Sequence, residues 1–77
     1  MSKISIISSS RMIKILLRLG FCLVRQKGSH AYFQHPDGRT TVVPVHKGED
    51  LGRGLIRAIL KDADISVCEY EKLRRES

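Results

Sequence analysis

Phe21-Cys22-Leu23-Val24-Arg25-Gln26-Lys27-Gly28-Ser29-His30-Ala31-Tyr32-Phe33-Gln34-His35 reads as two strands folded back on each other. Phe21 to Gln26 forms the first strand, Lys27-Gly28 the tight turn, and Ser29 to His35 the second strand. Side chains alternate along a strand, so the second has two distinct faces. His30, Tyr32 and Gln34 share one face; Ser29, Ala31, Phe33 and His35 share the other. Pro36-Asp37-Gly38 then makes a turn, because proline fixes φ and glycine tolerates positive φ. Thr40 to Val43 is β-branched throughout and forms a third strand. Pro44 ends its pairing or marks it as an edge.

Helical patterns flank this core on both sides. Upstream, Ser8-Ser9-Ser10 offers N-cap oxygens. Met12, Ile15, Leu16 and Leu19 follow at i, i+3, i+4 and i+7, and Gly20 supplies a left-handed stop. Arg11, Lys14 and Arg18 line another face, either a phosphate-binding stripe or a solvated surface. Downstream, His46 to Leu51 is a polar loop, and a second helix begins near Gly52 to Gly54. Its apolar face is Leu55, Ile56, Ile59, Leu60 and Ala63, while Arg53, Arg57 and Lys61 recur every four residues on another. Ser66 and Glu69 form a capping-box pattern. A short last helix runs from Val67 to about Leu73, with Arg74-Arg75 suited to its C-terminal dipole. The order is helix, three strands, helix, short helix. A three-stranded antiparallel sheet packed against two helices, with its other face open, is an α+β two-layer sandwich.

The chain has 77 residues, so it is read as a single domain over residues 1–77. A domain of this size buries only about 60% of the surface its unfolded chain exposes, and a partner would help it. The net charge of +6 favours a polyanion, with nucleic acid the commonest. An acidic protein partner fits the same charge. No stretch approaches the ~18 apolar residues that span a bilayer. Ile4-Ser5-Ile6-Ile7 is too short for a signal peptide, so the expected location is the cytoplasm. Cys22 and Cys68 are far apart, without metal-ligand spacing, and read as two reduced, mostly buried thiols.

Chemistry concentrates on the histidines. An imidazole titrates near neutrality and moves protons in phosphodiester chemistry. His30 sits past the glycine turn with Lys27 and Arg25 nearby, and is the first candidate for a catalytic group. As an ordinary strand residue it would simply be solvated. His35, before Pro36, reads as structural or incidental. His46, after Pro44-Val45, could act as a second acid or a phosphate contact. No histidine pair has helical i, i+4 spacing and no carboxylate is patterned with them, so neither a metal site nor a cofactor is expected. Ser29 and His30 are neighbours on a strand and point to opposite faces, which argues against a nucleophile–base pair.

The ordered run of segments resembles the HicA toxin family, small bacterial and archaeal mRNA interferases. It comprises Ile13-Lys14-Ile15-Leu16, Leu19-Gly20-Phe21, Leu23 through His30, His35-Pro36-Asp37-Gly38-Arg39, Thr41 through His46, Leu51 through Gly54, Ile56 through Lys61, and Ile65-Ser66. The resemblance spans roughly Met12 to Tyr70. It implies a double-stranded-RNA-binding-like fold, α-β-β-β-α. It also implies endoribonuclease activity on mRNA, with His30 as the essential residue. The leading reading built on it is metal-independent cleavage with His30 as the general base. Lys27, Gly28, Ser29, Arg25, His46, Arg53, Arg57 and Lys61 would be RNA-binding or charge-stabilising residues. The implied partner is a HicB-type antitoxin that covers the active site. A non-catalytic RNA-binding module of the same fold is the competing reading. The chain departs from the family pattern at Leu55, where Thr is common, at Ala31, and at Asp64, where Gly is usual.

Overall fold

A computed structural model describes residues 4–46 and 48–76. Its elements are α1 (Ser9–Arg18), β1 (Cys22–Lys27), β2 (His30–Gln34), β3 (Thr40–Pro44), α2 (Arg53–Ala63) and α3 (Val67–Glu76). Among the described residues the strands form one antiparallel sheet in the order β1-β2-β3. This is the α+β sandwich expected from the sequence. Strand boundaries shift by a residue. Lys27 is the last residue of β1 and pairs with His30, so the hairpin turn is Gly28-Ser29 and not Lys27-Gly28. Gly28 has φ +59, the positive value that a two-residue hairpin needs at its first central position. Pro44 stays inside β3, an edge strand, where its missing N–H costs no ladder bond.

One face of β2 and β3 is buried and the other is open. Ala31, Phe33, Thr41 and Val43 point into the core, where they meet Met12, Ile15 and Leu16 of α1 and Ile56, Ile59, Leu60 and Ala63 of α2. Thr41 satisfies its buried hydroxyl by donating to Asp62 at 3.1 Å. The alternation is interrupted in β1. Leu23 pairs with Phe33 but Arg25 pairs with Tyr32, leaving Val24 as an extra residue in a bulge. Every residue of β1 is exposed, including Leu23 and Val24.

The helix ends follow local chemistry. Ser8 is the N-cap of α1 and accepts from the Arg11 N–H. At the other end, Phe21 N–H donates to the Leu16 carbonyl and Gly20 N–H to the Leu17 carbonyl, the Schellman pattern, with Gly20 at φ +101. α2 ends the same way, with Ile65 donating to Leu60 and Asp64 to Lys61. Here the left-handed residue is Asp64, at φ 58 and ψ 45. Leu55, the other departure from the family pattern in α2, packs against the core.

The sequence pattern understated α3 and the N-terminal segment. α3 extends to Glu76, beyond the expected end near Leu73. Ser66 caps it by accepting from the Glu69 N–H. Its C-terminal carbonyls are taken up by α1. Arg11 donates to the Arg74 carbonyl at 2.8 Å and Arg18 to the Glu76 carbonyl at 3.2 Å. These two arginines therefore tie helices together and do not form a free stripe. Ile4 and Ile7 enter the core. The buried Tyr70 hydroxyl donates to the Ser5 carbonyl, while Ser5 donates through N–H and hydroxyl to the Glu71 carboxylate. Burial alone would push Glu71 up. The Ser5 N–H, Arg74 and the Ser5 hydroxyl outweigh it and hold the carboxyl below its ordinary value.

Both cysteines correct the sequence reading. They are free, as expected, but exposed. Cys22 pairs with Gln34 on the sheet's uncovered face, and Cys68 lies two residues, about 200° of helix, from the buried Tyr70.

Candidate functional site

The open face of the sheet is built in rungs. The first rung beside the hairpin turn is Lys27, His30 and Pro44; the second is Arg25, Tyr32 and Val42; the third is Cys22, Gln34 and Thr40. Directly opposed residues share a face, with Cβ atoms about 5 Å apart. None of these nine side chains is a carboxylate, so the cations there are not neutralised within the face.

His30 opens β2 and is exposed. Among the described residues its imidazole takes part in no hydrogen bond or ion pair, so both ring nitrogens are available. Lys27 stands opposite it from β1. Pro44 flanks it from β3 with a rigid ring that offers no competing donor. The turn is fastened from behind: the Val45 N–H donates to the Ser29 carbonyl, which ties the Gly28-Ser29 loop to the exit of β3. A Cβ on Gly28 would meet nothing within 4 Å, so space above the turn is open.

Arg25 faces the same side. Its guanidinium lies over the Tyr32 ring, 5.6 Å from the centroid. His46 is exposed and lies two residues beyond Pro44, at the same end of the sheet as His30. Lys47 is outside the described residues. The remaining basic candidates sit elsewhere. α2 packs beneath the core face, so Arg53, Arg57 and Lys61 belong to the helical layer and are not brought together with His30. Arg53 is moreover engaged, donating from Nε to the Ile4 carbonyl at 3.1 Å. Arg57 and Lys61 are exposed and make no such bond among the described residues.

His35 is structural. Its Nε2 lies 3.0 Å from the Leu19 carbonyl, which only an N–H can satisfy. Its Nδ1 faces both the N–H and the carboxylate of Asp37 at 3.2 and 3.1 Å. The ring also packs edge-on against Phe21 at 5.2 Å. Arg39 completes this corner. It grips the Asp37 carboxylate, lies 5.3 Å from the Phe21 centroid, and donates to the Ala63 carbonyl at the end of α2. The Arg39 side chain is the main reason the Asp37 carboxyl sits below its usual range.

A shallow depression lined by Cys22, Val24, Gln34, His35 and Pro36 lies at the far end of the hairpin and excludes His30. Among the described residues no group of three or more His, Cys, Asp or Glu could hold a metal ion. No described helix is long and apolar enough to cross a membrane. Sequence reading missed the pairing of Tyr32 with Arg25. The signal was present in the alternation, since Tyr32 shares a face with His30.

The family model described as HicA toxin of bacterial toxin-antitoxin matches residues 9–65. That span runs from the first residue of α1 to the end of the α2 cap and contains the whole sheet. No curated protein matches the chain.

Proposed function

The chain belongs to the HicA toxin family of bacterial toxin–antitoxin systems, and from that premise we propose that it is an endoribonuclease that cleaves mRNA with His30 as general base. The observation that carries this reading is the exposed, unengaged imidazole at the head of β2, opposite Lys27 on a face without carboxylates. Neutral His30 takes the proton from a ribose 2′-OH. The freed oxygen attacks the adjacent phosphorus, the bond to the 5′ oxygen breaks, and a cyclic phosphate and a 5′-OH result. General-base assistance of this kind contributes about 10² to 10⁴-fold. Lys27 stabilises charge on the phosphorane, with Arg25 one rung away as a phosphate or base contact. His46 is the candidate to return a proton to the leaving oxygen. The 2′-OH requirement implies that DNA is not cut.

The proposed partner is a HicB-type antitoxin. The exposed Leu23 and Val24 on β1 offer apolar surface to a protein, and the basic face suits an acidic one. An mRNA substrate places the work in the cytoplasm. Purified wild type and His30→Ala are compared for RNA cleavage in EDTA. His30→Ala is expected to retain less than about one hundredth of the activity. A folded variant cutting at the wild-type rate overturns the assignment of His30, and loss of wild-type cutting in EDTA overturns the metal-free step.

A second reading is supported by Arg57 and Lys61, which are exposed and unengaged on the helical layer. They suit the phosphates of an RNA duplex bound by shape, with His30 a contact and not a catalyst. Tight binding without cleavage in a clean assay distinguishes it.

A further inference from the structure

We propose that Tyr32 and Arg25 form a nucleobase-stacking site beside His30, one that takes a base from single-stranded RNA. The inference deepens the nuclease reading and rests on its choice of the open sheet face. The chain has two tyrosines, two phenylalanines and no tryptophan. Phe21, Phe33 and Tyr70 are buried in the core. Tyr32 is therefore the one phenylalanine or tyrosine ring a ligand can reach, and it stands on the face that carries His30.

Its position suits a base. Two residues of strand separate it from His30, a span of about 7 Å, so a phosphate at His30 and a base at Tyr32 can belong to the same or adjoining nucleotides. Val42 flanks the ring from β3, half-buried, and steadies it from one side. Arg25 lies over it from β1 at 5.6 Å. A guanidinium plane and a phenol ring are both surfaces on which bases stack. A base rests on the pair, or takes the place of Arg25 on the ring while the guanidinium moves to a neighbouring phosphate. Both arrangements need the ring and neither needs the hydroxyl. Duplex RNA keeps its base faces covered, so the site selects unpaired RNA.

The test is binding of a short 2′-O-methyl RNA oligonucleotide, which lacks the 2′-OH needed for cutting, followed by fluorescence anisotropy. Loss of a stacked aromatic weakens binding by about 5 to 100-fold, and Tyr32→Ala is expected to fall in that range. Tyr32→Phe is expected to bind within about twofold of wild type. A 2′-O-methyl duplex should bind all three proteins alike. Tyr32→Ala binding the single strand as wild type does, or losing single strand and duplex equally, overturns the proposal. Should Tyr32→Ala melt early, wild-type tyrosine fluorescence decides: the single strand quenches it through Tyr32, Tyr32→Phe abolishes the quenching, and no quenching in wild type overturns the site. Cleavage is read separately on unmodified RNA, so a failed nuclease assay leaves the stacking result standing.

Discussion

Asp64→Gly should stabilise the protein. Asp64 occupies the left-handed position that closes α2, at φ 58 and ψ 45. A residue with a Cβ loses about 1–2 kcal/mol there relative to the right-handed region, although Asp tolerates it better than most. Its carboxylate also faces the negative end of the helix dipole, costing about 0.3–1 kcal/mol. Glycine removes both penalties but loses more entropy on folding, about 0.4–1 kcal/mol. The net gain is about 1 kcal/mol, which in a domain of this size raises Tm by about 4–8 °C. Both cap hydrogen bonds, Asp64 to Lys61 and Ile65 to Leu60, come from backbone and survive the change. Thermal melts of wild type, Asp64→Gly, Asp64→Asn and Asp64→Ala separate the two contributions. Asn removes the charge alone and should gain a few tenths of a kcal/mol up to about 1. Ala keeps the backbone penalty and should gain less than Gly. If Asp64→Gly melts at or below wild type, the left-handed argument fails. If Ala gains as much as Gly, the effect is purely electrostatic and the backbone plays no part.

The opposite change at the end of α1 should be costly. An alanine at Gly20 faces φ +101, and its Cβ would lie 2.9 Å from Nε2 of His35. Strain of about 1–3 kcal/mol is expected, with about 1 more for the displaced His35 bond, and His35→Ala should recover only the second part in a double-mutant melt. Glu71→Gln should lose about 1–2 kcal/mol at pH 7 by weakening the bonds from Ser5 and Arg74. The sign with pH follows from the lowered carboxyl: Glu71 stabilises above its ordinary value of 4.5 and less as pH falls through its folded value. Melts of the two proteins should therefore converge in acid, and a gap that persists at low pH refutes the ion-pairing account.

Alternation from Ser29 to His35 carried most of the fold, because a period of two assigns each side chain to a face without further information. It separated Ala31 and Phe33 from His30 and Tyr32, and the structure buries the first pair and leaves the second on the open face. The Val24 bulge was not legible, since an extra residue leaves no mark in a strand whose positions are all exposed. The exposure of Cys22 follows from the same register and was missed with it. Ile4 and Ile7 were read only as a failed targeting signal, because a four-residue run has too little pattern to show what covers it. The groups that hold this segment are remote: Leu51 donates to the Ile7 carbonyl, Arg53 to the Ile4 carbonyl, and Ser5 meets Tyr70 and Glu71, more than sixty residues away. At the site, the sequence put Lys27 near His30 but in the turn; its place at the end of β1, directly opposite His30, needed the strand register. The separation of Arg53, Arg57 and Lys61 from them needed the layers, since periodicity finds a helical face but not the side of the sheet on which it lies.

That layering explains why the reactive group sits where it does. Two helices already use the inner face of the sheet, where Thr41 is tolerated only because Asp62 accepts its hydroxyl proton. An imidazole there would need a partner and would lose the freedom to change protonation. On the outer face His30 has no folding role among the described contacts, while the turn beneath it is fixed by the Val45–Ser29 bond and its strand by pairing on both sides. Removing the His30 side chain should therefore leave stability nearly unchanged, within about 0.5 kcal/mol, as for ordinary surface positions. A large drop in Tm would mean that His30 holds the sheet together, and the loss of cleavage in His30→Ala could then not be read as loss of a base.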